Sequence, residues 1–211
     1  MKQTFIFLAL VFTIVVARAD LVMEFSFPFP ILKGNTADTI VKIKGDKIRQ
    51  DSFLNGQKIF SRITDLKTGD NFILKDSKWI TTNSLILPNQ TNAAVEKAKW
   101  SKIQDTGKTE KVNGYEAKIY ILTNLDNVTV TLWVVKNFPD FKKIKKDLVK
   151  LDKLNDEKLI PEFSSLSGMP LKLLLSSSTN RVIAIPFTLV SANEESVDDS
   201  TFELPKDDSR R

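Results

Sequence analysis

The side chains that carry most enzyme chemistry are missing from this sequence. It has no histidine and no cysteine. Without histidine there is no Ser-His-Asp relay, no imidazole acid or base, and no imidazole-bound zinc. Without cysteine there is no thiolate nucleophile, no thiolate metal site and no iron–sulfur cluster. The seven glycines form no phosphate-cradling loop. Carboxylate and lysine chemistry remains. The densest carboxylate group is Glu194, Glu195, Asp198, Asp199, Glu203, Asp207 and Asp208. It lacks the alternating spacing of a calcium loop, and nothing marks two of its members as the acid and base of a glycoside hydrolase. As a charge run it reads as a solvated, extended tail beginning at Asn193. The expectation is a protein that is not an enzyme and that needs no metal and no cofactor.

Two other groups of residues carry binding chemistry. Lys142, Lys143, Lys145, Lys146, Lys150 and Lys153 interleave with Phe141, Ile144, Leu148, Leu151 and Leu154, which recur at spacings of three and four. That is an amphipathic helix over 140–154, with Pro139 and Asp140 at its start and Asp140 as its expected cap. Packed on a sheet, it leaves its lysines in water. The same lysines, above all Lys142, Lys143, Lys145 and Lys146, form a basic surface that can touch anionic lipid. The aromatics are the second group. Most tryptophans and phenylalanines are core residues, but in this chain they lie on strands with apolar residues on both faces.

The elements that must position these groups are hairpins. Met23, Phe25, Phe27 and Phe29 alternate with Glu24, Ser26 and Pro28, the period of a strand. Thr39–Lys44 and Lys47–Phe53 flank Gly45-Asp46. Asn55-Gly56 introduces Lys58–Asp65, and Lys67–Asp70 leads to Asn71–Lys75, then Lys78–Thr82. Connections this short make the neighbours antiparallel. The stretch Pro88–Trp100 breaks the pattern and predicts a short helix, capped by Thr91 or Asn92. Strands resume at Ile103–Lys108, Tyr115–Thr123 after the Asn113-Gly114 turn, and Val128–Val135. After the lysine helix come Leu171–Leu175 and the run Arg181–Ala192. No fixed-period repeat interrupts the chain.

The first nineteen residues stand apart. Lys2 precedes an apolar stretch from Phe5 to Val16, and Ala17-Arg18-Ala19 gives a small-x-small cleavage pattern. The stretch is shorter than the roughly 20 residues of a membrane span. The expectation is a cleaved signal peptide over 1–19, one β-rich domain over 20–211, and a location outside the cytoplasm, periplasmic or secreted. A cysteine-free exported chain draws its stability from core and ladder alone. The net charge of +5 falls by two when Lys2 and Arg18 leave. So mild an excess, with no basic stripe, argues against nucleic acid.

Three stretches, "VKIKGDKIRQDS" at 41–52, "GKTEKVNGYEAKIYIL…VTVTLWVVKNFPDF" at 107–141, and "GMPLKLLL" with "FTLVSANEESVDDSTFELPKD" at 168–175 and 187–207, resemble a family of bacterial exported proteins of unknown function. That family is related to the periplasmic lipoprotein-carrier (LolA-type) fold. The resemblance implies a single antiparallel sheet curled into an incomplete barrel, with two short helices on its concave side. It also implies a hollow for acyl chains and an inner-strand arginine that latches the helical lid, for which Arg49 is the matching position. This sequence departs from the pattern after Pro205, where Lys206-Asp207-Asp208 replaces Ala-Gly-Tyr.

The reading that follows is a mainly β, half-barrel binding protein of the cell envelope. It would hold a lipid or another apolar small molecule in a cavity between sheet and lysine helix. Phe25, Phe27, Arg49, Ile119 and Trp133 are the candidate ligand-binding residues. Leu132 and Trp133 are adjacent on one strand and cannot both face the hollow. The alternative is a structural or protein-interaction module with an envelope protein partner, a filled core and no ligand.

Overall fold

The computed structural model describes residues 20–28, 36–75, 78–81, 100–124, 128–154, 162–177 and 185–204. Eleven strands form one antiparallel sheet: β1 (Asp20–Pro28), β2 (Thr36–Lys44), β3 (Lys47–Leu54), β4 (Gln57–Asp65), β5 (Asn71–Lys75), β6 (Lys78–Thr81), β7 (Gln104–Val112), β8 (Tyr115–Thr123), β9 (Val128–Val135), β10 (Met169–Ser177) and β11 (Ile185–Glu195). Helix α1 (Phe141–Asp152) lies between β9 and β10 in the chain. Short 3-10 turns occupy Phe163–Ser165 and Asp199–Phe202. The order across the sheet is β6-β5-β4-β3-β2-β1-β11-β10-β9-β8-β7. Every strand therefore pairs with its sequence neighbour except at the centre, where β1 pairs with β11. The two ends β6 and β7 do not meet, so the barrel is incomplete, as the fold reading expects.

Local chemistry makes the hairpins. Asn55-Gly56 and Asn113-Gly114 both hold positive φ at each central residue, the requirement of a tight primed turn. Residues paired across a ladder share a face, so the register sorts the side chains. Leu21, Met23, Val41, Ile43, Ile48, Ala117, Trp133, Met169, Leu171 and Leu189 gather on one face with Ile144 and Leu148 of α1. Leu122, Val130, Leu132 and Val134 gather on the other, under Leu166, Trp100 and Ile103. Both faces are apolar in this half of the sheet, and both are covered.

The sheet curls around α1. Asn113, in the β7–β8 turn, bonds to the carbonyl of Leu189 in β11 at 2.6 Å. Three strand spacings separate β8 from β11, about 14 Å in a flat sheet. At one end of the helical segment Phe138 meets Tyr115 of β8, with ring centroids 5.3 Å apart. At the other, Lys150 Nζ donates to the Gly45 carbonyl in the β2–β3 turn at 2.5 Å. The helix thus crosses the concave face. Ile144 and Leu148, one turn apart, are 3% and 2% exposed, and burial of each contributes about 1.5–3 kcal/mol.

Several expectations change. The lysine helix is present, but Asp140 precedes it in a left-handed conformation and makes no side-chain cap bond. Its carboxylate instead faces Lys143 at 3.3 Å. From Asn193 to Leu204 the acidic stretch is ordered against the sheet rather than a free tail, although Glu194, Glu195, Asp198, Asp199 and Glu203 stay exposed; Asp207 and Asp208 lie outside the described residues. β11 continues to Glu195, and the following residues dock as a clasp in which Val197 and Phe202 are 5% exposed. The strand expected at 103–108 runs to Val112 with an irregular register at Asp105–Thr109. One α-helix is described; the helix expected within 88–100 falls outside the described residues apart from Trp100, which forms an isolated bridge with Asn124. Among the described residues no helix is long and apolar enough to cross a membrane.

Candidate functional site

β11 is longer than the ladder on one of its sides. With β1 it pairs from Thr188, opposite Ser26, to Glu195, opposite Asp20. With β10 it pairs only from Ile185 to Thr188, where Lys172 is the last partner. Two irregularities mark the parting. Leu171 falls at a register shift in β10, beside Pro170, which has no N–H to give to a ladder. Val190 falls at a register shift in β11 opposite Glu24 and Phe25.

A cleft of about 610 Å³ opens at this parting. Leu171 and Leu189 reach it from the sheet, and Ile144, Phe138 and Pro139 from the helical side. Asn113 and Tyr115 bring the β7–β8 turn to it. The whole run Leu189, Val190, Ser191, Ala192, Asn193 and Glu194 lines it. Successive strand side chains point to opposite faces. A cavity resting on one face would touch every second residue. One that touches six in a row lies along the strand's edge.

Three contacts close the ends. The Asn113 amide donates to the Leu189 carbonyl. The Tyr115 and Phe138 rings tilt against each other at 47°. Lys143 sits between Asp140 at 3.3 Å and Glu194 at 3.6 Å. The hydrogen bond to Asp140, with the charges of both carboxylates, raises the Lys143 pKa above its ordinary value. One lysine between two carboxylates leaves this end of the cleft one negative charge in excess.

None of the five residues singled out from the sequence lines this cleft. Phe25, Ile119 and Trp133 pack with Ile144 and Leu148 in the concave core. Phe27 sits further along β1, its ring 5.0 Å from that of Phe187. Leu132 and Trp133 do point to opposite faces, into the two separate cores. The Trp133 indole donates to Glu110 at 2.7 Å, and Lys172 lies 4.2 Å from the indole centroid and 3.2 Å from Glu110. The Trp133 and Lys172 bonds hold the Glu110 pKa below its usual value.

Arg49 faces away from α1. Its neighbour Ile48 packs in the concave core, so Arg49 projects from the opposite face. There it pairs with Asp51 at 2.8 Å and donates to the Thr201 carbonyl at 2.6 Å, latching the C-terminal clasp. Burial works against the Asp51 carboxylate, but hydrogen bonds from Arg49, Ser61 and Lys58 outweigh it and lower its pKa. Among the helix lysines, Lys143 is engaged as described and Lys145 donates to the Leu166 carbonyl at 2.8 Å. Lys142 and Lys146 are exposed.

Asn113, Tyr115, Phe138 and Leu189 were legible only as a turn, a strand start, a helix lead-in and a strand residue. Nothing in their spacing joins them. Among the described residues, no group of three or more acidic, histidine or cysteine side chains is placed to hold a metal ion.

A model of the family described as a domain of unknown function (DUF4412) matches residues 21–208. No curated protein matches the chain. Among solved structures the chain is similar to the complex structure of Pseudomonas aeruginosa MucA/MucB, at 14% identity and TM-score 0.44, over 86% of this chain and 54% of that one. It is similar to the Mycobacterium tuberculosis lipoprotein LppX, at 11% identity and TM-score 0.41, over 86% and 90%. A LolA superfamily protein from Nitrosomonas europaea aligns at 10% identity and TM-score 0.34, over 89% and 90%. The chain spans little more than half the length of the MucB structures it matches, 55% and 58%.

Proposed function

The chain belongs to the family described as a domain of unknown function (DUF4412), and from that premise we propose that it is an exported, non-enzymatic binding protein. Its cleft between α1 and the curled sheet holds an elongated apolar ligand. The observation that carries the reading is the cleft itself. At about 610 Å³ it falls within the 300–1,000 Å³ typical of small-molecule sites. Its walls combine the apolar side chains of Tyr115, Phe138, Ile144, Leu171 and Leu189 with the polar Asn113, Asp140, Ser191, Asn193 and Glu194. The signal-like sequence before Asp20 supports export to the periplasm or beyond.

A solvatochromic naphthalene dye tests the reading. It should bind the folded mature chain saturably and be displaced by palmitate. Val190, 53% exposed at the cleft, can be changed without opening the core. Val190→Glu should weaken dye binding several-fold, because it sets a second carboxylate on the same stretch of cleft wall as Glu194, and an apolar dye seated there would strip water from it. Dye binding that is unsaturable, or unchanged in Val190→Glu, would refute the proposal and leave an interaction module without a ligand.

The helix also gives the protein a membrane-facing surface. Lys142, Lys146, Val149 and Lys153 are exposed and lie on the side of α1 opposite Ile144 and Leu148. Sedimentation with vesicles containing phosphatidylglycerol, but not with neutral vesicles, tests this contact. Replacing Lys142 and Lys146 by glutamine should reduce it, and an unchanged bound fraction would count against it.

A further inference from the structure

The edge of β11 inside the cleft offers something that a lipid alone would not use. From Leu189 to Glu194 the strand is laddered to β1 on one side, and its ladder to β10 has already ended at Thr188. Along a strand, N–H and C=O groups point alternately to one neighbour and the other. This stretch therefore turns a row of peptide groups toward the space that β10 has left. Six residues of strand run for about 20 Å, and every one of them lines the cleft.

One acceptor in this row is already engaged. The Leu189 carbonyl takes its hydrogen bond from the Asn113 side-chain amide, a group with the chemistry of a peptide bond. The side chains beside the edge complete the site. Leu171, Leu189 and Ile144 give apolar contact to one face of an incoming strand. Asp140 and Glu194, with only Lys143 between them, leave a negative excess at one end.

We infer that the cleft recognises an extended peptide segment of a partner protein, which adds to the sheet along residues 190–194 of β11, beyond the carbonyl that Asn113 occupies. The inference rests on the binding-cleft reading and names the class of its ligand. The peptide supplies main-chain hydrogen bonds to the open edge. Its alternate side chains are apolar and turn toward Leu171 and Ile144. A lysine or arginine at one end meets Asp140 and Glu194. Peeling of β10 at Pro170 and Leu171 provides the vacancy that strand addition requires, in the middle of a sheet rather than at its rim.

The test uses the mature chain and a fluorescein-labelled peptide in which valine and threonine alternate over seven residues, with lysine at one end. Two further peptides carry N-methyl groups on alternate amides, in the two complementary registers. N-methylation removes donors and keeps the apolar side chains. Fluorescence anisotropy should show saturable binding of the plain peptide. One N-methyl register should bind about tenfold more weakly or worse, since several hydrogen bonds are lost together; the other should stay within about threefold. Equal binding of all three would overturn strand addition. Asp140→Asn combined with Glu194→Gln should weaken the lysine-ended peptide several-fold and leave a glutamine-ended one unchanged; equal effects on both would overturn the assigned role of the acidic end. Palmitate displacement of the dye, measured in parallel, separates the two levels of the argument. A dye displaced by palmitate with no peptide bound would end the peptide inference and leave the apolar-ligand reading standing. Neither ligand bound would end both. A concentration-dependent dimer that excludes the peptide would also overturn the inference, by assigning the edge to a second copy of this chain.

Discussion

Replacing Phe202 by alanine removes the anchor of the C-terminal clasp. Phe202 is 5% exposed, at the end of the 3-10 turn Asp199–Phe202, and that turn lies against β3. Three polar contacts hold the same segment: Arg49 to the Thr201 carbonyl, Lys44 to the Val197 carbonyl at 2.5 Å, and the Val197 amide to the Asp20 carboxylate at 3.0 Å. These contacts keep the clasp near its place after truncation, so the cavity does not collapse freely. A buried phenylalanine truncated under such conditions costs about 3–5 kcal/mol. The clasp lies at one surface of the sheet, which points to the low end, about 3 kcal/mol. For a chain of this size that is a fall in melting temperature of roughly 6–12 °C. Urea unfolding of the mature chain, followed by circular dichroism, measures it directly, with exposed Glu203→Ala as the control. A loss below about 0.5 kcal/mol, the range of ordinary surface substitutions, would refute the docked clasp and restore a solvated tail.

Two further outcomes follow from packing and charge. A methyl group at Gly168 would stand 2.4 Å from the Val135 carbonyl oxygen and 2.9 Å from the Lys136 Cα, both backbone atoms, so Gly168→Ala should destabilise by about 2 kcal/mol or more; an unchanged thermal midpoint would show that β9 and β10 can separate there at no cost. Asp51 has a folded pKa lowered by Arg49, Ser61 and Lys58 against the opposing effect of burial, so its charge contributes stability above the unfolded value near 3.9, and this is lost as pH falls through the lower folded value. Asp51→Asn should therefore lower stability at neutral pH and flatten the acid limb of the stability–pH curve below about pH 4; parallel curves for the two proteins would show that Asp51 is not the group titrating.

The hairpins and the lysine helix were legible in the sequence because each is decided within a few residues. Asn113-Gly114 can hold two positive φ angles whatever surrounds it, and Ile144 and Leu148 share a helix face by periodicity alone. The same local rules made the class antiparallel and mainly β. The cleft was not legible, because no local rule sets where a ladder stops. β11 could pair with β10 along its whole length as far as its own residues show; the parting after Thr188 coincides with irregularities at Leu171, beside Pro170, and at Val190, which arise in the ladders of β10 with β9 and of β11 with β1. The pairing of β1 with β11 joins residues 20 and 195, and charge patterning over a few residues carries no information about it. That pairing docks the segment after β11 as a clasp: Arg49 and Lys44 on neighbouring strands donate to the Thr201 and Val197 carbonyls, which in a solvated tail would accept from water. Sequence determined which segments are strands and helix, through backbone sterics and side-chain period. Tertiary structure alone decided which strand edge stays open and which charges meet, because both are properties of partners distant in the chain.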